Sequence, residues 1–348
     1  MSDRSKSTRF CAWAFSAASL LPVTSLLALT PARAERVEPS IGWSNPHHAY
    51  LTWRDPQSLA YEVNEISLAT GESRILGGSK AAFCQPTGLA IGPQGNLYVS
   101  GTFGTPCHAA IEIFARGASG NVSPIAHIRG RAADIHKPLG IGFDPEGRLY
   151  LAQGIGGPSG SGEIKVFPAG AKGDVAPIAI IAGSNTQFSS NMEPAYVAID
   201  ATDEIFVGQG LASGDEILKF PAQANGNVSP IATAVVGSGD FNEMQVSGSI
   251  VSVSDGDFHF DNPTVYELSI ADLTQTGSIT SRNFEVLTAD ADTAGTVYVQ
   301  DFKKRCGSGA LCGRLFVFEP GHKNPSRVIQ EGATGGFIEG GGYIVVGP

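Results

Sequence analysis

Between Lys137 and Gly154 the chain reads KPLGIGFDPEGRLYLAQG. Apolar positions alternate with small or polar ones on both sides of Asp144-Pro145-Glu146-Gly147, so the pattern predicts strand, tight turn, strand and excludes a helix. The same line is written again as QPTGLAIGPQGNLYVSG from Gln85 and as EPAYVAIDATDEIFVGQG from Glu193. A second pattern repeats without gaps: IEIFARGASGNVSPIAHI from Ile111, IKVFPAGAKGDVAPIAII from Ile164 and ILKFPAQANGNVSPIATA from Ile217. Its phenylalanines, Phe114, Phe167 and Phe220, are 53 residues apart, as are Pro124, Pro177 and Pro230. Each copy predicts a strand ending in Phe, a Gly/Asn/Asp-rich turn and a further strand.

The two hairpin types alternate, which gives four strands per period, the content of one propeller blade. A twisted four-stranded sheet cannot bury both apolar faces alone. Radial stacking buries them, and closing the ring removes the exposed flanks. Weaker copies of the second hairpin begin at Tyr61, Thr264 and Arg314, and weaker copies of the first at Met244 and Phe284. Two strands are left over, AYLTW at Ala49 and YIVVG at Tyr343. They complete blade one if the C-terminal strand lies innermost and clasps the ring across the termini. The expected fold is therefore all-β: a propeller of six four-stranded blades, with a seventh blade built from GGFIEGGGYIVVG as the alternative.

The line P-x-G-[LI]-x-[IF]-x-x-x-G-x-L-Y, followed by I-x-[VI]-F, resembles the NHL repeat of the TolB-like six-bladed propellers. The resemblance covers most of the chain after residue 34. It implies the same ring and no single activity, because these residues make turns and core contacts.

Composition agrees: 44 Gly, 21 Pro and 16% charged residues suit neither a helical nor a disordered chain. The net charge of −10 and the lack of a Lys/Arg-rich run argue against nucleic-acid or anionic-membrane partners. Arg4, Lys6 and Arg9 precede an apolar run from Phe10 to Leu29, and Ala32-Arg33-Ala34 fits a small-x-small cleavage site. Residues 1–34 are thus expected to be a signal peptide, with an uncleaved anchor as the alternative, and residues 35–348 one exported domain, secreted or periplasmic. Cleavage removes Cys11 and leaves Cys84, Cys107, Cys306 and Cys312. An even count in an exported chain favours Cys84–Cys107 and Cys306–Cys312 disulfides over four free thiols.

All four cysteines fall on the face where inner strands begin. That face also carries the polar residues that precede inner strands: Gln85, His136, Lys137, Glu193, Asn242 and Glu243. Set around a channel mouth, Glu193, Glu243 and His136 are the candidate ligands for a divalent cation such as calcium; a wet rim with no ligand is the alternative. In SDGDFHFDN, Asp255, Asp257, His259 and Asp261 alternate and would share one face of an extended strand, for calcium, for substrate or simply for solvent. His47 and His48 are adjacent and face opposite ways on a strand. The sequons at Asn121 and Asn227 lie in turns that favour Asn for backbone reasons. No catalytic motif converges. The reading is a binding or scaffolding propeller for a protein, peptide, glycan or small molecule; the alternative that the resemblance implies is a metal-dependent lactonase, hydrolase or lyase with its ion in the channel.

Overall fold

The structure, a computed structural model, describes residues 47–54, 58, 60–154, 160–188, 193–237, 241–256, 263–280, 286–305, 311–330 and 343–347. In chain order the first three strands are β1 (His48–Arg54), β2 (Tyr61–Ser67) and β3 (Ser73–Leu76). Blade two is β4 (Phe83–Ile91), β5 (Leu97–Phe103), β6 (His108–Phe114) and β7 (Ala126–Ile128); blade three is β8 (Pro138–Phe143), β9 (Leu149–Gln153), β10 (Glu163–Phe167) and β11 (Ala179–Ile181). Blade four is β12 (Pro194–Ile199), β13 (Ile205–Leu211), β14 (Gly214–Phe220) and β15 (Ala232–Val236). Blade five is β16 (Phe241–Ser247), β17 (Ile250–Asp255), β18 (Thr264–Ser269) and β19 (Gln275–Thr280). Blade six is β20 (Val286–Ala291), β21 (Val297–Arg305), β22 (Leu311–Phe318) and β23 (Arg327–Gln330). The last strand, β24 (Ile344–Gly347), pairs antiparallel with β1 and becomes the inner strand of blade one, with Ala49 opposite Val346. The fold is a six-bladed propeller of antiparallel four-stranded sheets, closed by its C-terminal strand. A seventh blade from the C-terminal segment is thereby excluded, because the strand it needs is already spent in blade one. Among the described residues no helix is long and apolar enough to cross a membrane.

The phenylalanines of the 53-residue period occupy equivalent places. Phe114, Phe167 and Phe220 end the third strands of blades two, three and four and are fully buried between blades. The first-hairpin turns of blades three, four and six also have a local cause. The Asp144 side chain accepts the Arg148 N–H at 2.8 Å. Asp200 does the same for Thr202 and Glu204 at 2.8 and 2.9 Å, and Asp292 for Ala294 and Thr296 at 3.0 and 2.9 Å. An Asp opening the turn thus holds the N–H groups that its tight backbone leaves unpaired.

The repeated Gly-[Asn/Asp]-Val has a reason that lies in the neighbouring blade. Gly120, Gly173 and Gly226 form parallel bridges to Leu76, Ile128 and Ile181, the outer strand of the preceding blade. The next residue then reaches the linker that leaves that strand. Asn121 Oδ1 accepts the Lys80 N–H, Asp174 Oδ1 the Ala132 N–H and Asn227 Oδ1 the Asn185 N–H, each at 2.7 Å. Each clip covers a sheet edge that would otherwise present unpaired groups and ties two blades together. Asn121→Ala and Asn227→Ala are each expected to lower stability by about 1 kcal/mol, roughly one hydrogen bond's worth, and Asp174→Ala, whose carboxylate also accepts the Ala133 N–H, by more. Urea denaturation would show this as a lower midpoint at constant slope.

Candidate functional site

The inner strands approach so closely at the axis that little space remains. A Cβ at Gly88 would lie 2.7 Å from the Leu139 carbonyl, and one at Gly140 would lie 2.6 Å from that of Ala195. Side chains satisfy the inner-edge carbonyls directly: Thr87 Oγ1 donates to Pro138 at 2.7 Å, Ser100 Oγ to Leu139, and the Tyr196 hydroxyl to Asn242. Among the described residues, narrow cavities of about 30 and 10 Å³ lie along the axis.

Two buried carboxyls meet β24 there. Both oxygens of Glu243 lie within hydrogen-bond reach of the Ile344 N–H, at 3.0 and 3.2 Å. Asp290 Oδ2 accepts the Val346 N–H at 2.7 Å. Glu243 and Asp290 thus take the N–H groups that β24 turns away from β1, while on the β1 side Thr52 Oγ1 accepts the Tyr343 N–H at 2.9 Å. Burial is the main cause that pushes Glu243 well above the usual carboxylate range, opposed by the Ile344 N–H; Asp290 adds repulsion. Asp290 is raised to about 7 by burial, opposed by the Val346 and Ala291 N–H groups.

The other rim candidates are arranged around this plug. Gln85, His136 and Lys137 are exposed, and Asn242 and Glu193 half-buried. Lys137 and Glu193 form an ion pair across the blade three–four junction. Asp134 Oδ1 holds His136 Nε2 at 2.7 Å. Asp134 is in turn gripped by Lys165, whose ammonium lies in the blade three interior, 3.0 Å from Asp134 Oδ2 and 3.4 Å from Glu163 Oε1. The hydrogen bond and charge of Lys165 hold Asp134 below the usual carboxylate range. His136 and Glu193 are thus held by Asp134 and Lys137, while Glu243 is 2% exposed with its oxygens on the Ile344 N–H. On the same face the Cys84–Cys107 disulfide ties the start of β4 to the loop before β6. Asp255 is buried at the end of β17. Asp257, His259 and Asp261 lie outside the described residues, as does Cys306 and hence the Cys306–Cys312 pair.

The opposite face holds a group that lies far apart in sequence. Asp144, Glu146 and Asp203 bring carboxylate oxygens within 4.8 Å of one another, a donor set that a cation could take. Arg148 already occupies it: Nε donates to Asp144, and Nη2 lies 3.2 Å from Glu146 and 3.1 Å from Asp203. Burial, followed by a hydrogen bond with Glu146, raises Asp203. One signal was present in the sequence, the acid-rich turn Asp144-Pro145-Glu146. Beside this group, a groove of about 430 Å³ runs between blades two and three, floored by Tyr98 and Ile113 and walled by Ile125, Ala171 and Lys172.

This architecture defines a class, the six-bladed β-propeller. No family model matches the chain, and no curated protein matches it in sequence. Solved structures do. A protein of unknown function from Bacteroides caccae superposes with TM-score 0.53 at 11% identity, over 86% of this chain and 98% of that one. The PQQ-bound aldose sugar dehydrogenase from Streptomyces coelicolor superposes with TM-score 0.50 at 13% identity, over 82% and 97%. The Cps50 (Swd1) β-propeller domain of Myceliophteria thermophila gives 0.48 at 12% identity, over 80% and 85%. At these identities the likeness to the Bacteroides and Streptomyces structures shows the fold alone.

Proposed function

We propose that the chain is an exported, NHL-like propeller of the TolB-like group that works as a binding or scaffolding module through its disulfide-bearing loop face. One observation carries this reading: the loops of that face are fixed while their polar tips stay exposed. The disulfide fixes the segment around Cys84, Lys165 and Asp134 fix the loop before β8, and the Lys137–Glu193 pair bridges two blades. Rigid display of polar groups lowers the ordering cost of binding. The enzyme alternative needs an ion at the axis, and such an ion would have to draw Glu243 away from the Ile344 N–H that it now accepts.

The test places a photo-crosslinking residue at Gln85 on the loop face and, separately, at the exposed Lys172 on the turn face. A discrete adduct is expected from position 85 alone, and it should be lost when Cys84 and Cys107 are both replaced by Ser. The same double replacement should lower stability by about 2–4 kcal/mol. Adducts from both positions, or from neither, would defeat the proposal. A stoichiometric calcium ion released by Glu243→Ala would favour the enzyme.

A further inference from the structure

The first-hairpin turns of blades two, three and four align as GPQGNLY from Gly92, DPEGRLY from Asp144 and DATDEIF from Asp200. Where blade three meets blade four, side chains fill the space between the turns. Arg148 lies 3.2 Å from Glu146 on its own turn and 3.1 Å from Asp203 on the next. Asp144 accepts the Tyr150 hydroxyl, as Asp292 accepts that of Tyr298 in blade six. Where blade two meets blade three, the same positions change. Asn96 stands in place of Arg148, Gly147 in place of Asp203 and Gly92 in place of Asp144. The filling side chains are gone, and the groove of about 430 Å³ lies at this junction.

The changes also leave polar groups without partners. The Tyr98 ring lies over Gly92, where a Cβ would come 2.5 Å from Cε2, and its edge meets Phe143 with ring centroids 4.8 Å apart. The Tyr98 hydroxyl has no hydrogen-bond partner among the described residues, because the acid that serves Tyr150 is here a glycine. Asn96 spends its oxygen on the Arg116 N–H at 3.2 Å, which leaves its amide N–H groups for a ligand. Gln94 is exposed on the rim. Beside these groups the wall is apolar: Ile125 is 60% exposed, and Ile113 is buried in the floor. Charges around the groove offset one another. Arg116, Arg148 and Lys172 stand against Asp144, Glu146 and Asp203, and Arg148 already engages all three acids.

We infer that this groove binds a small neutral saccharide. A sugar ring presents C–H faces to Ile113, Ile125 and the Tyr98 ring. Its hydroxyls both donate and accept, which suits the Tyr98 hydroxyl and the amides of Asn96 and Gln94. An apolar lining with a few placed polar groups, in a volume of roughly 300–1,000 Å³, is the usual form of a small-ligand site. The offset charges supply no field of one sign to draw an ion. The site is on the turn face and does not depend on the loop-face reading above; a free saccharide leaves no protein adduct at position 172.

Saturation-transfer NMR on the purified protein tests this, with maltose, cellobiose, lactose and N,N′-diacetylchitobiose as the probes and N-acetyl-leucinamide as a peptide mimic. At least one sugar is expected to bind, with a Kd that does not change as salt rises. Tyr98→Phe should weaken it about three- to tenfold, the loss of one hydrogen bond. Its thermal midpoint should not change, since the hydroxyl has no partner within the fold, and this separates recognition from folding. Asn96→Arg, which restores the filling side chain of blade three, should abolish binding. Gln85→Ala on the distant loop face should alter the Kd less than about twofold. No binding of any of the four sugars overturns the inference, as does binding that survives both Tyr98→Phe and Asn96→Arg. Binding lost in Gln85→Ala would place the sugar on the loop face, and binding of N-acetyl-leucinamide alone would assign the groove to a peptide; either result overturns it.

Discussion

Removal of residues 343–348 is expected to abolish cooperative folding. β24 contributes Ile344 and Val346 to the cluster that joins blade one to blade six, with Leu51, Ile66, Tyr298 and Leu315. Val345 faces the other way, into the cluster shared with blade two. Each such aliphatic side chain lost from a core costs about 2–5 kcal/mol, and three of them match the 5–15 kcal/mol, roughly, that holds a domain together. The truncation would also strand Glu243 and Asp290 in the interior without the N–H groups that they accept. Urea titration followed by near-ultraviolet circular dichroism should show no cooperative transition. Ile344→Ala is the milder variant, with a midpoint lowered by the equivalent of about 2–5 kcal/mol and an unchanged spectrum. An unaltered transition in the truncated chain would mean that blade one does not depend on β24.

Stability should fall as pH rises from about 5 to about 8, and Asp290→Asn should flatten part of that slope. Asp290 titrates at about 7 in the folded chain and near 3.9, roughly, when unfolded. Between those values the folded state binds a proton that the unfolded state has released. Stability is therefore greatest at the acid end of this window and declines as pH climbs through 7. Asn keeps an oxygen for the Val346 N–H and removes the titration. The stability difference between wild type and Asp290→Asn should accordingly change between pH 5 and 7 by on the order of 2 kcal/mol, one proton's linkage over that range. Some slope persists in the variant. Burial raises Glu243 and Glu267 as well, and it raises Glu112 to about 7 against the opposing charge of Arg129. Parallel urea titrations of the two proteins at pH 5, 6, 7 and 8 read this directly; a constant difference would show that Asp290 does not carry the proton.

The ring was legible because its causes are local and repeat. Alternation marks each strand, and Phe114, Phe167 and Phe220 mark equivalent blades. That the Ala49 strand and the Tyr343 strand share blade one followed from two strands that had no other partner; which residues face one another did not. Side-chain roles were less legible because they depend on register and on neighbouring blades. Glu243 reads as a rim residue if its strand begins after it. The strand instead begins at Phe241, with a register shift between Phe241 and Glu243, which leaves the carboxyl inside. Asp174 repeats as visibly as Asn121 and Asn227, yet its partners, Ala132 and Ala133, sit 42 and 41 residues earlier, in a linker of different sequence. Asp203 joins Asp144 and Glu146 only through the packing of blade four on blade three, and no spacing announces it.

The closed ring requires β1 and β24 to share one sheet, and a cross-link tests that most directly. Ala49 and Val346 are register partners on β1 and β24, and antiparallel partners lie about 4.5–5.5 Å apart at Cα, within the reach of a disulfide. In the Ala49→Cys/Val346→Cys protein, peptide mapping by mass spectrometry should find the peptides containing positions 49 and 346 joined within one chain after mild oxidation. Free thiols at both positions, or cross-links only between chains, would contradict the closed ring.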